Sequence, residues 1–313
     1  MKVVSKSFYV GLLIWALSIA AVSAKSAPKP EQTPINLNSD LAQAFVEQWF
    51  SIDTREPLNL SQSSIQKTPF GSRRTLRFSS DDGQAVNGMI ASPSNQIGAD
   101  KLALVLHPMG TDQNFWWSDK SPLEAHKLTQ LLLRNGYTVL SLDARAHGER
   151  SREGFGPREL LKRAHSDAPR IYIDTIIGSV RDYRIALNWA RESIKPKEVM
   201  VVGYSMGAQM SLLLSAFEPT INHVIAMVPP FVGSPTSPVA PRQHNHRIRT
   251  AAVLWLAGNN DPHSAQQDTQ LAFDQIQSSK RSLVWFESGH RLPVEYLDAV
   301  ANFIESIQQG GAQ

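Results

Sequence analysis

A serine hydroxyl becomes an effective nucleophile only when a base removes its proton. An imidazole does this best when a carboxylate fixes its tautomer and stabilises its charged form. Ser205 lies in Gly203-Tyr204-Ser205-Met206-Gly207, after the apolar run 199–202 and before Met206, Met210, Leu213 and Phe217 at helical spacing. A serine on such a strand-to-helix turn projects its Oγ from a strained backbone, and the flanking glycines let neighbouring elements pass without a Cβ clash. The helix that follows points its first amides back at the site, where they stabilise developing negative charge.

The partners are expected at the carboxyl ends of later parallel strands, which share one rim of the sheet. The apolar run 252–256 leads into Gly258-Asn259-Asn260-Asp261-Pro262, and the run 282–286 leads into Glu287-Ser288-Gly289-His290. The order is therefore serine, acid, histidine, with Asp261 and His290 as the partners. Asp268 is a second acid but falls inside the next helix, and His263 shares the turn of Asp261. A tetrahedral intermediate also needs preorganised donors. The amide of Met206 is one. The turn after Leu106, His107-Pro108-Met109-Gly110, supplies another from Met109 or Gly110, because Pro108 has no N–H.

The elements that must hold these residues follow from patterning. Residues 75–79 and 85–91 read as an antiparallel hairpin across Asp81-Asp82-Gly83, preceded by an amphipathic helix from about Ser39 with Leu41, Phe45, Trp49 and Phe50 on its apolar side. From Gly98 onward strands alternate with helices, the pattern of a parallel sheet with right-handed crossovers. Further strands are expected at 102–106, 138–142, 199–202, 223–227, 252–256 and 282–286, giving eight in all. Ser121-Pro122-Leu123-Glu124 reads as a capping box opening a helix. Residues 149–168 form a charged excursion with a short helix, and 229–247 an irregular proline-rich segment. The stretch 231–246 is too short for a folded cap, so the site is expected to be open.

The 313 residues, 42% hydrophobic, suffice for one large domain, expected over residues 39–313. Lys2 and Lys6 followed by the apolar run 8–22 and Val22-Ser23-Ala24 have the form of a signal peptide cleaved after Ala24, and the proline-bearing stretch 25–38 that of a flexible leader. Without residues 1–24 the formal charge falls from +3 to +1, which gives no case for nucleic acid or an anionic surface. Cysteine is absent, which excludes disulfides, thiolate catalysis, thiolate-bound metal and a cysteine-linked lipid. Export without disulfides suits a bacterial periplasmic or secreted protein with no stable membrane association after cleavage.

These motifs resemble the α/β-hydrolase family. GYSMG looks like its nucleophile elbow, HPMG is similar to its oxyanion turn, DARAHG to its Asp-x-Arg-Gly-His-Gly segment, GNNDP to its acid turn and SGH to its histidine loop. The resemblance spans about residues 74–307. It implies an α/β fold of eight mostly parallel strands with helices on both faces, a Ser205-Asp261-His290 triad and no cofactor. The chain departs from the family's pattern in carrying proline at 108 and alanine at 146. Arg145 and His147 are taken as structural.

The expected activity is that of an exported serine hydrolase cleaving a small-molecule carboxylic ester. A peptidase or amidase of the same superfamily, or a binding module that kept the fold, are the competing readings. Phe115, Trp116, Trp117 and Phe231 are candidates for an apolar substrate wall, although the first three could instead pack their loop onto the sheet. His244-Asn245-His246 is read as solvated, and no metal site is expected.

Overall fold

The computed structural model describes residues 40–53, 58–93, 100–121, 123–166 and 168–310. The signal peptide and leader expected over residues 1–38 lie outside these. Leu37–Gln313 forms one compact unit. Its strands are β1 (Ser61–Gln62), β2 (Gln66–Thr68), β3 (Gly71–Ser79), β4 (Ala85–Ser92), β5 (Lys101–Leu106), β6 (Tyr137–Leu142), β7 (Glu198–Tyr204), β8 (His223–Met227), β9 (Ala252–Gly258) and β10 (Arg281–Phe286). The helices are α1 (Asp40–Phe50), α2 (Ala125–Arg134), α3 (Pro157–Ala164), α4 (Arg170–Ser193), α5 (Met206–Phe217), α6 (Pro241–His244), α7 (Gln266–Asp274) and α8 (Tyr296–Gly310).

All ten strands join one sheet in the order β1-β3-β4-β6-β5-β7-β8-β9-β10, with β2 also on β3. Pairing is antiparallel up to the β4–β6 junction and parallel from β6 to β10. The eight expected strands are all present. The two additional ones, β1 and β2, are short, polar and exposed, so they carry no apolar pattern that would reveal them in the sequence.

Alternation along the parallel strands feeds two cores. In β5, Leu102, Leu104 and Leu106 join the core under α1, α3, α4, α5 and α7, while Ala103 and Val105 join the core under α2 and α8. Helix α5 is buried along its whole length, which accounts for its lack of a polar face. Helix α4 ties the neighbouring strands together: Tyr183 Oη donates to the Val105 carbonyl at 2.8 Å and accepts from the Leu142 amide at 3.0 Å.

Two local expectations are corrected. Helix α2 starts at Ala125, with Glu124 at φ 50° and no side-chain cap, and Pro122, the expected first helical residue, lies outside the described residues. Ser121 Oγ instead accepts from the Leu123 amide, and the Glu124 amide bonds the Ser121 carbonyl, so this stretch is a turn ahead of the helix. On α1 the buried stripe is Val46 and Phe50; Phe45 and Trp49 lie on the adjacent stripe and are 55% and 41% exposed.

The elbow depends on close approach. A Cβ on Gly207 would overlap the carbonyl of Leu106 in β5, and one on Gly203 would overlap the Gly207 carbonyl. Gly207→Ala must push α5 off the sheet, with an expected loss of about 1–3 kcal/mol of stability, read as a lower urea midpoint. An unchanged midpoint would mean that the helix is not pinned there.

Candidate active site

Ser205 joins β7 to α5. Its amide continues the ladder to Met227 of β8 at 2.9 Å, but its φ of 54° and ψ of −118° are rarely adopted by an L-residue. Met206 is the first residue of α5, so its N–H has no helical carbonyl one turn back to bond. His290 Nε2 lies 2.7 Å from Ser205 Oγ, and its Nδ1 lies 3.0 and 2.9 Å from the two carboxylate oxygens of Asp261. Facing a carboxylate, Nδ1 carries the proton, and Nε2 accepts from the serine hydroxyl.

The loops that carry the acid and the histidine are bonded to each other before either reaches the serine. Asn259 N donates to the Phe286 carbonyl and Asn260 N to the Ser288 carbonyl, both at 2.9 Å. Gly258 allows this, since a Cβ there would overlap the Gly289 carbonyl. Asp261 Oδ1 also accepts from the His263 amide at 2.8 Å, a local turn that fixes the carboxylate, whose side chain is only 4% exposed. The His263 ring meets His290 edge-on with centroids 4.5 Å apart.

The turn after β5 is held from behind. The backbone N–H of Ala144 donates to His107 Nε2 at 3.0 Å, so the ring proton sits on Nδ1, which donates to the Pro108 carbonyl at 2.9 Å. Thr111 Oγ1 donates to the same carbonyl at 2.9 Å. In a trans peptide the N–H points opposite to the C=O, so pinning the Pro108 oxygen sets the direction of the Met109 amide. His147 Nε2 lies 3.2 Å from Met109 Sδ. In the same 143–148 turn, Gly148 passes so close that a Cβ would overlap the Asp143 carboxylate, and Ala146 holds φ 63°. Arg145 and Arg150 both pair with the buried Asp182, and Arg145 also with Asp82, which anchors this turn to α4.

A cavity of about 650 Å³ opens over Ser205, Met206, Met109 and His290. Phe231 lines it, with the Arg242 guanidinium 4.7 Å from its ring centroid. Phe115, Trp116 and Trp117 do not line it, which corrects the expectation of a wall built from these three. Trp116 is fully buried, Trp117 Nε1 donates to Ser141 Oγ at 2.8 Å, and Phe115 packs on Trp116 and Tyr204. Leu161, Ala164 and His165 at the end of α3 and Tyr172 on α4 also line the cavity. None of the motifs points to these four. The available signal is a leucine pair in an otherwise charged helix: Leu160 is buried, which leaves Leu161 48% exposed at the cavity.

A sheet of this strand order, with a strained serine at the carboxyl end of a central parallel strand, defines the α/β-hydrolase architecture. The chain belongs to the alpha/beta hydrolase family, whose model matches residues 103–262. An uncharacterized protein of Rickettsia prowazekii is 30% identical over 130 residues, 41% of this chain; the match spans 45% of that protein's length. Among solved structures, an acetyl xylan esterase from Paenibacillus sp. R4 aligns at TM-score 0.66 with 16% identity, covering 89% of this chain and 96% of that one. Acetyl xylan esterase 1 from Thermoanaerobacterium sp. JW/SL YS485 aligns at 0.65 with 16% identity over 84% and 92%. A cold-adapted esterase from an Arctic intertidal metagenomic library aligns at 0.61 with 19% identity over 79% and 98%.

Three histidines are buried, His107 and His147 in these turns and His244 on α6. Burial, helped by the neighbouring His147, lowers His107 to about 3, and burial lowers His147 as well. His244, expected to be solvated, is 3% exposed: its ring packs against Phe217 and Phe50, its Nε2 donates to the Pro238 carbonyl at 2.9 Å, and burial lowers it to about 4. Among the described residues no group of three or more His, Asp or Glu could hold a metal ion. Each buried histidine is neutral when folded and titrates near 6.5 when unfolded, so the unfolded chain takes up protons first as pH falls. Stability present above about pH 6.5 should fall as pH drops towards 4, by up to about 1.4 kcal/mol per pH unit for each histidine. Urea midpoints at pH 7 and pH 5 test this, and equal midpoints would contradict it.

Proposed function

We propose that the chain is a serine hydrolase of carboxylic esters, with Ser205 as nucleophile, His290 as general base and then acid, and Asp261 as the group that orients and stabilises the imidazole. The observation that carries this reading is the 2.7 Å approach of His290 Nε2 to the Oγ of a serine held at φ 54°. Ser205 Oγ attacks the ester carbonyl as its proton passes to His290. The tetrahedral oxyanion accepts hydrogen bonds from the N–H groups of Met206 and Met109, and His290 then protonates the departing alcohol. A water, deprotonated by the same imidazole, hydrolyses the acyl-enzyme.

The proline at 108 fits this scheme. It removes one donor from the turn, and its carbonyl, fixed by His107 and Thr111, is what orients the next amide. The names of the three solved structures described above, each an esterase, favour an ester over an amide. The signal-peptide pattern of residues 1–24 supports export, which is tested by the mature N-terminus, expected at Lys25.

A fluorophosphonate probe should label the purified protein and fail to label Ser205→Ala. Ser205→Ala should lose about 10⁶ in kcat, and Asp261→Asn about 10⁴. On nitrophenyl esters of rising chain length, short and medium acyl groups should be preferred, with little cleavage of the matching anilide. Absence of labelling, or faster amide than ester turnover, would overturn the assignment.

The two aromatic groups should separate in the same assays. Phe231→Ala should raise KM severalfold with the melting temperature nearly unchanged. Trp117→Phe, which loses the bond to Ser141, should lower the melting temperature and leave KM alone. A KM effect confined to Trp117 would return the substrate wall to residues 115–117.

A further inference from the structure

His290 is carried by the loop after β10, while Ser205 ends β7, and β8 and β9 lie between them. At ordinary strand spacing the two strands stand about 14 Å apart, so the histidine loop has to reach back across two strand ends. The bonds to the acid turn at Asn259 and Asn260 fix its near side over β9. They leave open what holds the far side over the serine.

We infer that Tyr204, the residue before the serine, is a positioning residue that clamps the backbone of the histidine loop from beneath. This inference rests on the hydrolase reading above. Tyr204 Oη donates to the carbonyl of His290 at 2.7 Å and accepts from the amide of Leu292 at 3.1 Å. One phenol thus holds the backbone on both sides of Arg291, and it is attached to the strand that carries the nucleophile. Strand alternation explains how this is possible. Gly203 and Ser205 line the elbow, so Tyr204 points to the other face of the sheet, where it joins the core containing Leu292 and Tyr296. Its ring meets His290 edge-on at 6.2 Å and packs against Phe115 at 6.3 Å, which fixes the phenol's reach.

With the Asp261 bond at Nδ1 and the clamp at the histidine's own carbonyl, both ends of the residue are tied down. What remains free is motion of the Nε2 edge over Ser205. Tyr204 touches no reacting atom; its effect is on how often Nε2 stands within reach of the serine proton. At this position of the elbow the usable side chain is therefore one with a long ring and a terminal group that both donates and accepts, which among uncharged aromatics means tyrosine.

The test is Tyr204→Phe, with Tyr296→Phe as its matched control. Tyr296 is equally buried in the same core, and its hydroxyl donates to the Leu123 carbonyl at 2.9 Å, away from the triad. Both variants lose one buried hydroxyl, with two bonds at Tyr204 and one at Tyr296, so both melting temperatures should fall. Only Tyr204→Phe should lose kcat, by up to about 100-fold, with a matching fall in the fluorophosphonate labelling rate and KM within about twofold of wild type. Equal kcat in both variants, or a fall in KM-dependent binding alone, would overturn the clamp.

Should the phenylalanine chain not fold, 3,5-difluorotyrosine at position 204 keeps the ring in place. Burial holds the native phenol up at about 12, with Asp261 adding to the rise and Arg291 opposing it, so the native phenol keeps its proton across the working range. Fluorination brings that ionisation down, and an ionised phenol cannot donate to the His290 carbonyl. The kcat profile should then fall away at lower pH than in wild type, and superimposable profiles would overturn the clamp. A wild-type chain that neither labels nor turns over esters removes the hydrolase reading itself, and the clamp with it.

Discussion

Helix α5 must lie so close to β5 that no side chain fits between Gly207 and the Leu106 carbonyl, and most of the active-site geometry follows from this contact. The helix can approach that closely only if the chain turns from strand to helix within one residue, and the cost of that turn is the unfavourable backbone of Ser205. Strain of this kind persists only where the surroundings overdetermine it. Here the ladder to Met227 on one side and a fully buried helix on the other leave the serine no relaxed alternative. The same contact brings the first amide of α5 beside the turn after β5, so Ser205 and both candidate oxyanion donors share one packing constraint.

The second constraint is that buried polar groups must be satisfied, and around this site backbone groups and neutral rings do most of that. His107 is the clearest case. Fully buried, it is held neutral by desolvation, and because it is neutral it can donate from Nδ1 and accept at Nε2, joining two turns that lie over adjacent strands. A charged imidazole would donate from both nitrogens and break the bond from Ala144. Charged groups act further out, where Asp182 receives Arg145 and Arg150 and anchors the 143–148 turn to α4. The turn after β5 is therefore held in place mainly by neutral groups, which leaves the field at Ser205 to the helix end and the His290–Asp261 pair.

Much of this was legible in the sequence because it is tied to periodicity and to glycine. The eight long strands, the elbow, and the order of Ser205, Asp261 and His290 all follow from apolar runs that end in turns. The features that were not legible have physical reasons. Strands β1 and β2 are held by the edge of β3 rather than by burial, so they show no pattern. The residues at 121–124 have the chemistry of a capping box, but the chain turns once more before α2 begins. Position 244 resembled a solvated loop histidine because nothing local shows that α1, nearly two hundred residues earlier, supplies Phe50 to cover it. Three consecutive aromatics at 115–117 suggest a pocket, yet the sheet surface beneath them was an equally good place to bury that area, and they pack there.

The cavity walls show why chemistry and specificity differ in legibility. Ser205, Asp261 and His290 sit at strand ends, where backbone hydrogen bonding and close packing fix positions. The walls come from α3 and from residues 230–236, segments that need only be short, compact and compatible with the rim below. A substitution at Leu161 or Phe231 leaves both cores intact, because each of these side chains stands partly in solvent. A substitution at Gly203, Gly207 or Gly258 disturbs the sheet itself. The fold therefore confines its costliest packing to the turns that hold Ser205, Asp261 and His290 and leaves the cavity walls nearly independent of stability, so the walls can vary while the geometry beneath them stays fixed.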